Sequence, residues 1–160
     1  MTALTIFQAL VFVSYVMFIL IKFGTLPSIS DSWYKLKDLG GVWYSLFTWF
    51  TWLLGIPLLF QTNGDTALFF LAGAGLSFVG VATMFKLKES IEPMIHFGGA
   101  LTAILGSLAG LGIERGAWLP TFAFVIVSAG IILTKLKNRT WWIEIAAFLA
   151  IIFGLIFYPI

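Results

Sequence analysis

Six long apolar runs fill most of this sequence, and only short polar gaps separate them. A helix that crosses about 30 Å of hydrocarbon needs roughly 20 apolar residues, which is close to the length of these runs. Of the 160 residues, 61% are hydrophobic and 10% are charged, and so short a chain has too little interior to bury that much apolar surface in water. The sequence therefore predicts an all-α fold, a polytopic membrane bundle of six transmembrane helices in one domain, residues 1–160. The runs cover approximately residues 3–23, 42–60, 66–85, 94–113, 118–133 and 141–160.

The basic residues lie in alternate gaps between the runs. Of the nine lysines and arginines, all except Arg115 lie in or directly beside the first, third and fifth gaps. Because Lys and Arg near helix ends tend to stay in the cytoplasm, these three gaps are predicted to be cytoplasmic and the N- and C-termini extracytoplasmic. We expect a multi-pass integral membrane protein, in the cell (inner) membrane if the source is bacterial. The eight residues that set this orientation are Lys22, Lys35, Lys37, Lys86, Lys88, Lys135, Lys137 and Arg139.

The first gap, residues 24–41, is the longest polar stretch of the chain. Pro27 disfavours helix at the residue before it. Ser28, Ser30 or Asp31 could cap a short helix that follows. We expect this short helix to lie in the membrane interface and to turn three apolar side chains toward lipid. These side chains are Trp33, Tyr34 and Leu36.

Small residues at helical spacing mark one face on each of two central runs. Small residues at intervals of three or four let helix backbones approach closely in lipid. The third and fourth helices are therefore predicted to pack through these faces, which could also support a homo-oligomer, and His96 is predicted to point into the bundle. The face on the fourth run consists of His96, Gly99, Ala103, Gly106 and Gly110. The face on the third run consists of Gly73, Ser77, Gly80 and Met84. Thr102, Ser107 and Ser128 are expected to form hydrogen bonds between helices.

Four polar residues map to the predicted cytoplasmic side of the bundle. Ser30 and Asp31 lie in the first gap, His96 lies in the first turn of the fourth helix, and Glu144 lies about one turn into the sixth. A carboxylate inside a bilayer costs at least about 2.5–3.5 kcal/mol on insertion scales, so Glu144 is expected to have a partner. Lys86, His96 or a residue of the first gap could serve, or Glu144 could make a purely structural hydrogen bond.

The same residues could in principle serve a serine hydrolase or a metal site. A Ser/His/Asp hydrolase could use Ser28 or Ser30 with His96 and Asp31, since a base must take the serine proton and a carboxylate must orient that base. No Gly-x-Ser-x-Gly motif accompanies them, which favours a packing histidine and a protein that is not an enzyme. A metal site would combine His96 with carboxylates, but one histidine and no cysteine argue against the three or four protein ligands that zinc requires. No metal or other cofactor is predicted. The carboxylates considered are Asp31, Glu89, Glu92 and Glu144.

Two further classes of function are disfavoured by the sequence. Nucleic-acid binding would need a basic face backed by aromatic stacking groups, which is absent from the pattern. A channel or transporter would need polar residues along the middle of a pathway, whereas the helix centres consist mostly of Leu, Phe, Ile, Ala and Gly. A hydrophobic or lipid substrate is compatible with this composition.

Two stretches of the chain carry a family resemblance. The first is Pro-Ser-Ile-Ser-Asp-Ser at 27–32, and the second is Gly-Leu-Ser-Phe-Val-Gly at 75–80, followed by Phe85 and by His-Phe-Gly-Gly-Ala at 96–100. With the six helices, they resemble the DRAM and FGF-receptor-activating-protein family and, more distantly, the CREST superfamily of alkaline-ceramidase-like hydrolases. The resemblance implies work on or near lipids, such as remodelling of lipid anchors, or a regulatory role without catalysis. It carries over to Ser30, Asp31 and His96, but the CREST metal site is not reproduced because no His-x-x-x-His is present.

These patterns lead to one main hypothesis and two alternatives. The main hypothesis is a small lipid-associated integral membrane protein with a polar site at the cytoplasmic interface, formed by residues 30, 31, 96 and 144 and partnered by membrane lipids. If the protein is an enzyme, a lipid-directed hydrolase is expected. The first alternative is a non-enzymatic scaffold or regulatory protein, and the second is a small transporter or channel.

Overall fold

The computed structural model describes residues 2–62, 66–82 and 92–159. This part of the chain folds into seven α-helices without any strand, which confirms the prediction of an all-α bundle. A 3-10 turn, Gly41–Ser45, leads directly into the third helix. The helices are α1 (Thr2–Phe23), α2 (Ser32–Leu39), α3 (Leu46–Leu59), α4 (Leu68–Ala82), α5 (Glu92–Arg115), α6 (Leu119–Leu133) and α7 (Arg139–Phe157).

Four helical segments of the described chain are long and apolar enough to cross a membrane. Helix α6 is equally apolar but has 15 residues, and the described part of α4 also has 15. At about 1.5 Å of rise per residue α6 is roughly 22 Å long, which is shorter than the hydrocarbon layer of a typical bilayer. Each of the six predicted runs thus contains a helix, and four of these helices reach spanning length within the described residues. The four segments are Ala3–Phe23, Gly41–Leu59, Met94–Arg115 and Arg139–Phe157.

Helices α1 and α3 pack antiparallel through aromatic and polar contacts. The side-chain amide of Gln8 donates to the carbonyl oxygen of Leu54 over 2.7 Å. About two turns further along α1, Tyr15 stacks on Phe50 with 3.8 Å between the ring centroids. The end of α1 therefore lies beside the start of α3. We call this end of the bundle, which also holds residues 24–31, the loop end, and the opposite end, which holds Gln61, the far end.

Helix α4 lies between α3 and α5 and uses small residues on both sides. Toward α5, a Cβ added to Gly99 would lie 2.7 Å from the carbonyl oxygen of Gly75, so the two backbones are almost in contact. Toward α3, a Cβ added to Gly73 would lie 2.6 Å from the carbonyl oxygen of Gly55. The predicted small face of α5 does pack on α4. The predicted face of α4, in contrast, packs on α3.

The error in the α4 prediction has a simple geometric cause. Helix α4 has two small faces on different sides, because Gly73 and Gly75 are about 160° apart at 3.6 residues per turn. Only the face that contains Gly73, Ser77 and Gly80 was predicted. Ser77 lies against Gly55 of α3 and Gly80 lies against Thr51 of the same helix, whereas Met84 lies outside the described residues. The glycines of both faces of α4 pack closely against neighbouring helices of the same chain. Gly98 and Gly130, in contrast, have no heavy atom within 4 Å of an added Cβ.

Helix α2 does not turn its apolar face to lipid in the way that was predicted. Trp33 and Leu36 are buried in the core, and Tyr34 is exposed. The reason is that the preceding loop folds back into the bundle, burying Leu26 and Ile29 in the same hydrophobic cluster. The segment 24–39 therefore contributes its buried apolar side chains to the core at the loop end.

Helix α6 lies at the periphery of the bundle. It packs against α7 and α5, and Pro120 is its one buried residue. Most of its large side chains, such as Phe122 and Ile126, are exposed. An apolar helix with this exposure is suited to contact with lipid.

Candidate functional site

The loop at residues 24–31 is held against the start of α7 by backbone and side-chain hydrogen bonds. Gly24 ends α1 with φ of 75°, a left-handed conformation that glycine adopts easily. The backbone N–H of Trp141 then donates to the carbonyl oxygen of Pro27 over 3.1 Å. The side-chain amide of Asn138 donates to the carbonyl oxygen of Thr25 over 2.9 Å. These bonds connect positions more than 100 residues apart in sequence and fix the loop inside the bundle end.

Glu144 forms the innermost of these connections. Its Oε2 accepts a hydrogen bond from the backbone N–H of Ile29 over 2.5 Å. Glu144 is half-buried and lies about one turn into α7, as predicted. Of the partners considered for this carboxylate, the structure places a residue of the first loop on it, and Lys86 lies outside the described residues.

Three polar residues of the loop form a hydrogen-bonded chain beside Glu144. The Ser28 hydroxyl donates to Oδ2 of Asp31 over 2.7 Å, and the hydroxyl oxygens of Ser28 and Ser30 are 2.9 Å apart. Because Ser28 has one hydroxyl hydrogen and gives it to Asp31, Ser30 is the donor in the second bond. Asp31 occupies the N-cap position of α2, but its side chain makes no capping hydrogen bond. The carboxylate of Asp31 thus orients the two serine hydroxyls.

His96 lies across from the loop, on the inward face of α5. Its ring stacks with the ring of Phe47 at the start of α3, with 6.2 Å between the centroids. The side chain is half-buried. The predicted inward orientation of His96 agrees with this contact.

An elongated cavity begins at these groups and extends along the inside of the bundle. It contains about 750 Å³ of space not filled by protein atoms, including its open part. Ser30, His96 and Glu144 line one end, which we call the mouth, and Gln8 and Ser107 are polar residues that line it toward the other end. From His96 to Ser107 along α5 is three helical turns, or about 16 Å. Apart from Thr51, the wall between the two polar ends is apolar, with Phe50, Leu76 and Phe148 among its residues.

The cavity brings together three of the four predicted site residues. Ser30, His96 and Glu144 line it, whereas Asp31 does not and is connected to Ser30 through Ser28. Within the described ranges, no group of three or more His, Asp or Glu side chains is close enough to hold a metal ion. Glu89 and the side chain of Glu92, which were considered as ligands, lie outside that part of the chain.

A second polar network closes the far end of the cavity, and sequence reasoning did not find it. The side-chain oxygen of Gln8 accepts from the amide of Gln61 over 3.1 Å, and the side-chain oxygen of Gln61 accepts from Arg115 over 2.9 Å. Arg115 also donates to the carbonyl oxygen of Tyr158 over 2.9 Å and lies over the ring of Phe69. The one available signal was a glutamine at position 8, inside an otherwise apolar run.

The predicted hydrogen bonds between helices are absent for two of the three hydroxyls. The hydroxyl oxygens of Ser107 and Ser128 are buried and have no hydrogen-bond partner among the residues that the structure describes. Thr102 is exposed on α5. The prediction failed because α5 and α6 place these side chains away from polar atoms of neighbouring helices, and Ser107 faces the cavity.

Fold and site together define a class of protein: an apolar helical bundle, suited to a membrane, with an internal cavity that has a polar mouth and a polar far end. Comparison with known proteins finds no matching family model, no matching curated protein and no matching solved structure. The description of the site therefore rests on the geometry of this chain.

Proposed function

We propose that this chain is a multi-pass membrane protein that binds a membrane lipid, with the headgroup at the mouth and one acyl chain in the cavity. The observation that carries the proposal is the shape of the cavity, which is apolar along its length and polar at the mouth. Binding sites for amphipathic molecules have this distribution of apolar walls and a few polar groups. A bundle that served only as a scaffold would be expected to fill its interior, because protein cores are closely packed.

The length of the cavity fits one leaflet of a bilayer. The distance of about 16 Å between His96 and Ser107 is close to half of the roughly 30 Å hydrocarbon thickness. A lipid of the surrounding leaflet could place its headgroup at the mouth and its chain beside α5 and α7 without leaving its normal depth. The apolar middle of the cavity disfavours the transporter alternative, since an ion path needs polar groups there.

Charge patterning supports a cytoplasmic position for the mouth. The loop end carries Lys22, Lys35 and Lys37 around α1 and α2, and it also holds the basic connection at residues 135–139. Basic residues at helix ends tend to stay in the cytoplasm, so the six helices would cross with both termini outside. The 15-residue helix α6 would fit a bilayer that is locally thinned around it. In a bacterium the location would be the cell (inner) membrane.

The chemistry of the mouth favours a headgroup that donates hydrogen bonds. Glu144 uses one oxygen for Ile29 and keeps further lone pairs. Ser30 donates to Ser28 and keeps its own lone pairs as acceptors. A hydroxyl or ammonium headgroup complements these acceptors, whereas an ionised phosphate or carboxylate brings only further acceptors and no donor. The family resemblance, which implies work on or near lipids, also supports a lipid as the ligand.

The proposal is tested by filling the cavity with a larger side chain. Ala100 lines the cavity one turn from His96, so the phenylalanine of Ala100→Phe should fill the part of the acyl-chain site nearest the mouth. We expect the purified variant to lose at least about tenfold in affinity for 1-monotetradecanoylglycerol, because displacing several buried methylenes at about 0.8 kcal/mol each exceeds the 1.4 kcal/mol of a tenfold change. The measurement is a titration in detergent micelles at a fixed detergent concentration.

The matched control is the same substitution on the outside of the bundle. Ala123 is exposed on α6, and Ala123→Phe should leave the affinity within about twofold. Equal binding by the wild type and both variants would contradict the proposed site, and absence of binding by the wild type would contradict lipid binding of this kind.

A further inference from the structure

Ser107 is a buried hydroxyl that faces the cavity and lacks a hydrogen-bond partner among the described residues. The side chain is 1% exposed, and its oxygen is unpaired. Buried polar atoms in folded proteins are almost always paired, because leaving one without a partner costs free energy. A hydroxyl in this position therefore points to a partner that enters the cavity.

Other hydroxyls in the same bundle show the ordinary alternative. Ser77 donates to the carbonyl oxygen of Gly73, four residues earlier in α4, over 2.9 Å. Thr51 donates to the carbonyl oxygen of Thr48 over 2.9 Å. Bonds of this kind to the preceding turn are the usual solution for a serine or threonine inside a helix. Ser107 makes no such bond in α5 and keeps its hydroxyl on the cavity wall.

The neighbouring polar group at the far end is already used by the protein. Gln8 donates to the carbonyl oxygen of Leu54 and accepts from Gln61. The Gln8 carbonyl and one of its N–H groups therefore serve the network that closes the cavity. Ser107 is left as the hydroxyl that can both donate to and accept from a molecule in the cavity.

We propose that the cavity selects an acyl chain that carries a polar atom near its tail, such as a terminal hydroxyl, and that Ser107 binds this atom. The inference rests on the proposed lipid-binding function and names a narrower class of lipid within it. The distance of about 16 Å from His96 corresponds to roughly 13 chain carbons, at about 1.25 Å of extension per carbon for bonds of about 1.5 Å. A chain of about 14 carbons with a hydroxyl on its last carbon would thus reach Ser107.

The test compares two probes that differ by one oxygen atom. The affinities of 1-monotetradecanoylglycerol and of its analogue with a hydroxyl on carbon 14 are measured in the same micelles, for the wild type and for Ser107→Ala. The hydroxyl costs the same to transfer from the micelle in both proteins, so the ratio of the two affinities isolates the contact with Ser107. We expect the ratio to favour the hydroxylated probe about three- to tenfold more in the wild type than in Ser107→Ala, the range for one neutral hydrogen bond.

Two further variants keep the result interpretable. Ser128 is also a buried hydroxyl without a described partner, but it is not part of the cavity wall, so Ser128→Ala should keep the wild-type ratio. Ser107→Cys preserves the size of the side chain with a much weaker donor and should behave like Ser107→Ala, even if the alanine variant is unstable.

The possible outcomes distinguish a failure of the Ser107 contact from a failure of lipid binding. If both probes bind and their affinity ratio is unchanged by Ser107→Ala and Ser107→Cys, the tail contact is wrong while lipid binding stands. If neither probe binds the wild type, the proposed function fails and the inference fails with it. A ratio that falls equally in Ser128→Ala would also overturn the assignment to Ser107.

Discussion

Glu144 joins two parts of the chain that are far apart in sequence. Its carboxylate accepts the N–H of Ile29, a residue that is 3% exposed and packed in the core. The need for a partner could be predicted from a carboxylate in an apolar run. The identity of that partner could not be predicted, because the sequence does not show which backbone N–H will lie beside the carboxylate.

Removing this acceptor should destabilise the loop end. Glu144→Ala leaves the buried N–H of Ile29 unpaired, and we expect a loss of about 1–3 kcal/mol in the free energy of unfolding. Glu144→Gln keeps an amide oxygen in the same place and should lose less. The measurement is denaturant unfolding of the purified protein in mild detergent.

The control for this prediction is an acidic residue outside the core. Asp38 is exposed on α2, and Asp38→Ala should change the unfolding free energy by no more than about 0.5 kcal/mol. A Glu144→Ala protein as stable as Asp38→Ala would show that the bond to Ile29 contributes nothing.

At the scale of elements, the close approach of α4 and α5 depends on paired glycines. The row His96, Gly99, Ala103 on α5 was visible as a spacing, and the contact of Gly99 and Ala103 with α4 is confirmed. The matching face of α4 was missed, since helix spacing shows which residues share a face but not which neighbour that face meets. A helix between two others needs two small faces, and α4 has both.

Adjacent glycines on α5 provide a direct test of this packing. Gly99→Ala would place a methyl group 2.7 Å from the carbonyl oxygen of Gly75, so the helices must separate, and we expect a loss of about 1–3 kcal/mol. Gly98→Ala meets no atom within 4 Å and should be neutral or slightly stabilising, because alanine favours helix over glycine. Thermal unfolding in detergent compares the two, and equal destabilisation by both would contradict the packing described for α4 and α5.

For the molecule as a whole, the sequence predicted the helices better than it predicted which residues are buried and where the cavity lies. The apolar runs predicted the helices, and the positions of Ser30, His96 and Glu144 predicted one shared end. The fold of residues 24–39 was missed, because an amphipathic segment with Trp33 and Leu36 is equally suited to a lipid surface and to a protein core. The cavity was not predictable either, since a void depends on how side chains fit together and not on their types.

Mapping where a bound lipid reacts would show whether an acyl chain lies inside the bundle. A monoacylglycerol with a photoreactive diazirine in the middle of its chain would be crosslinked to the wild-type protein, and the modified residues identified by peptide mass spectrometry. The account predicts labelling of cavity-lining positions of α5 and α7, such as Ala103, Ile104 and Ile151, and its suppression by Ala100→Phe. Labelling confined to outward residues such as Phe122 and Ile126 of α6, unchanged by that substitution, would contradict it.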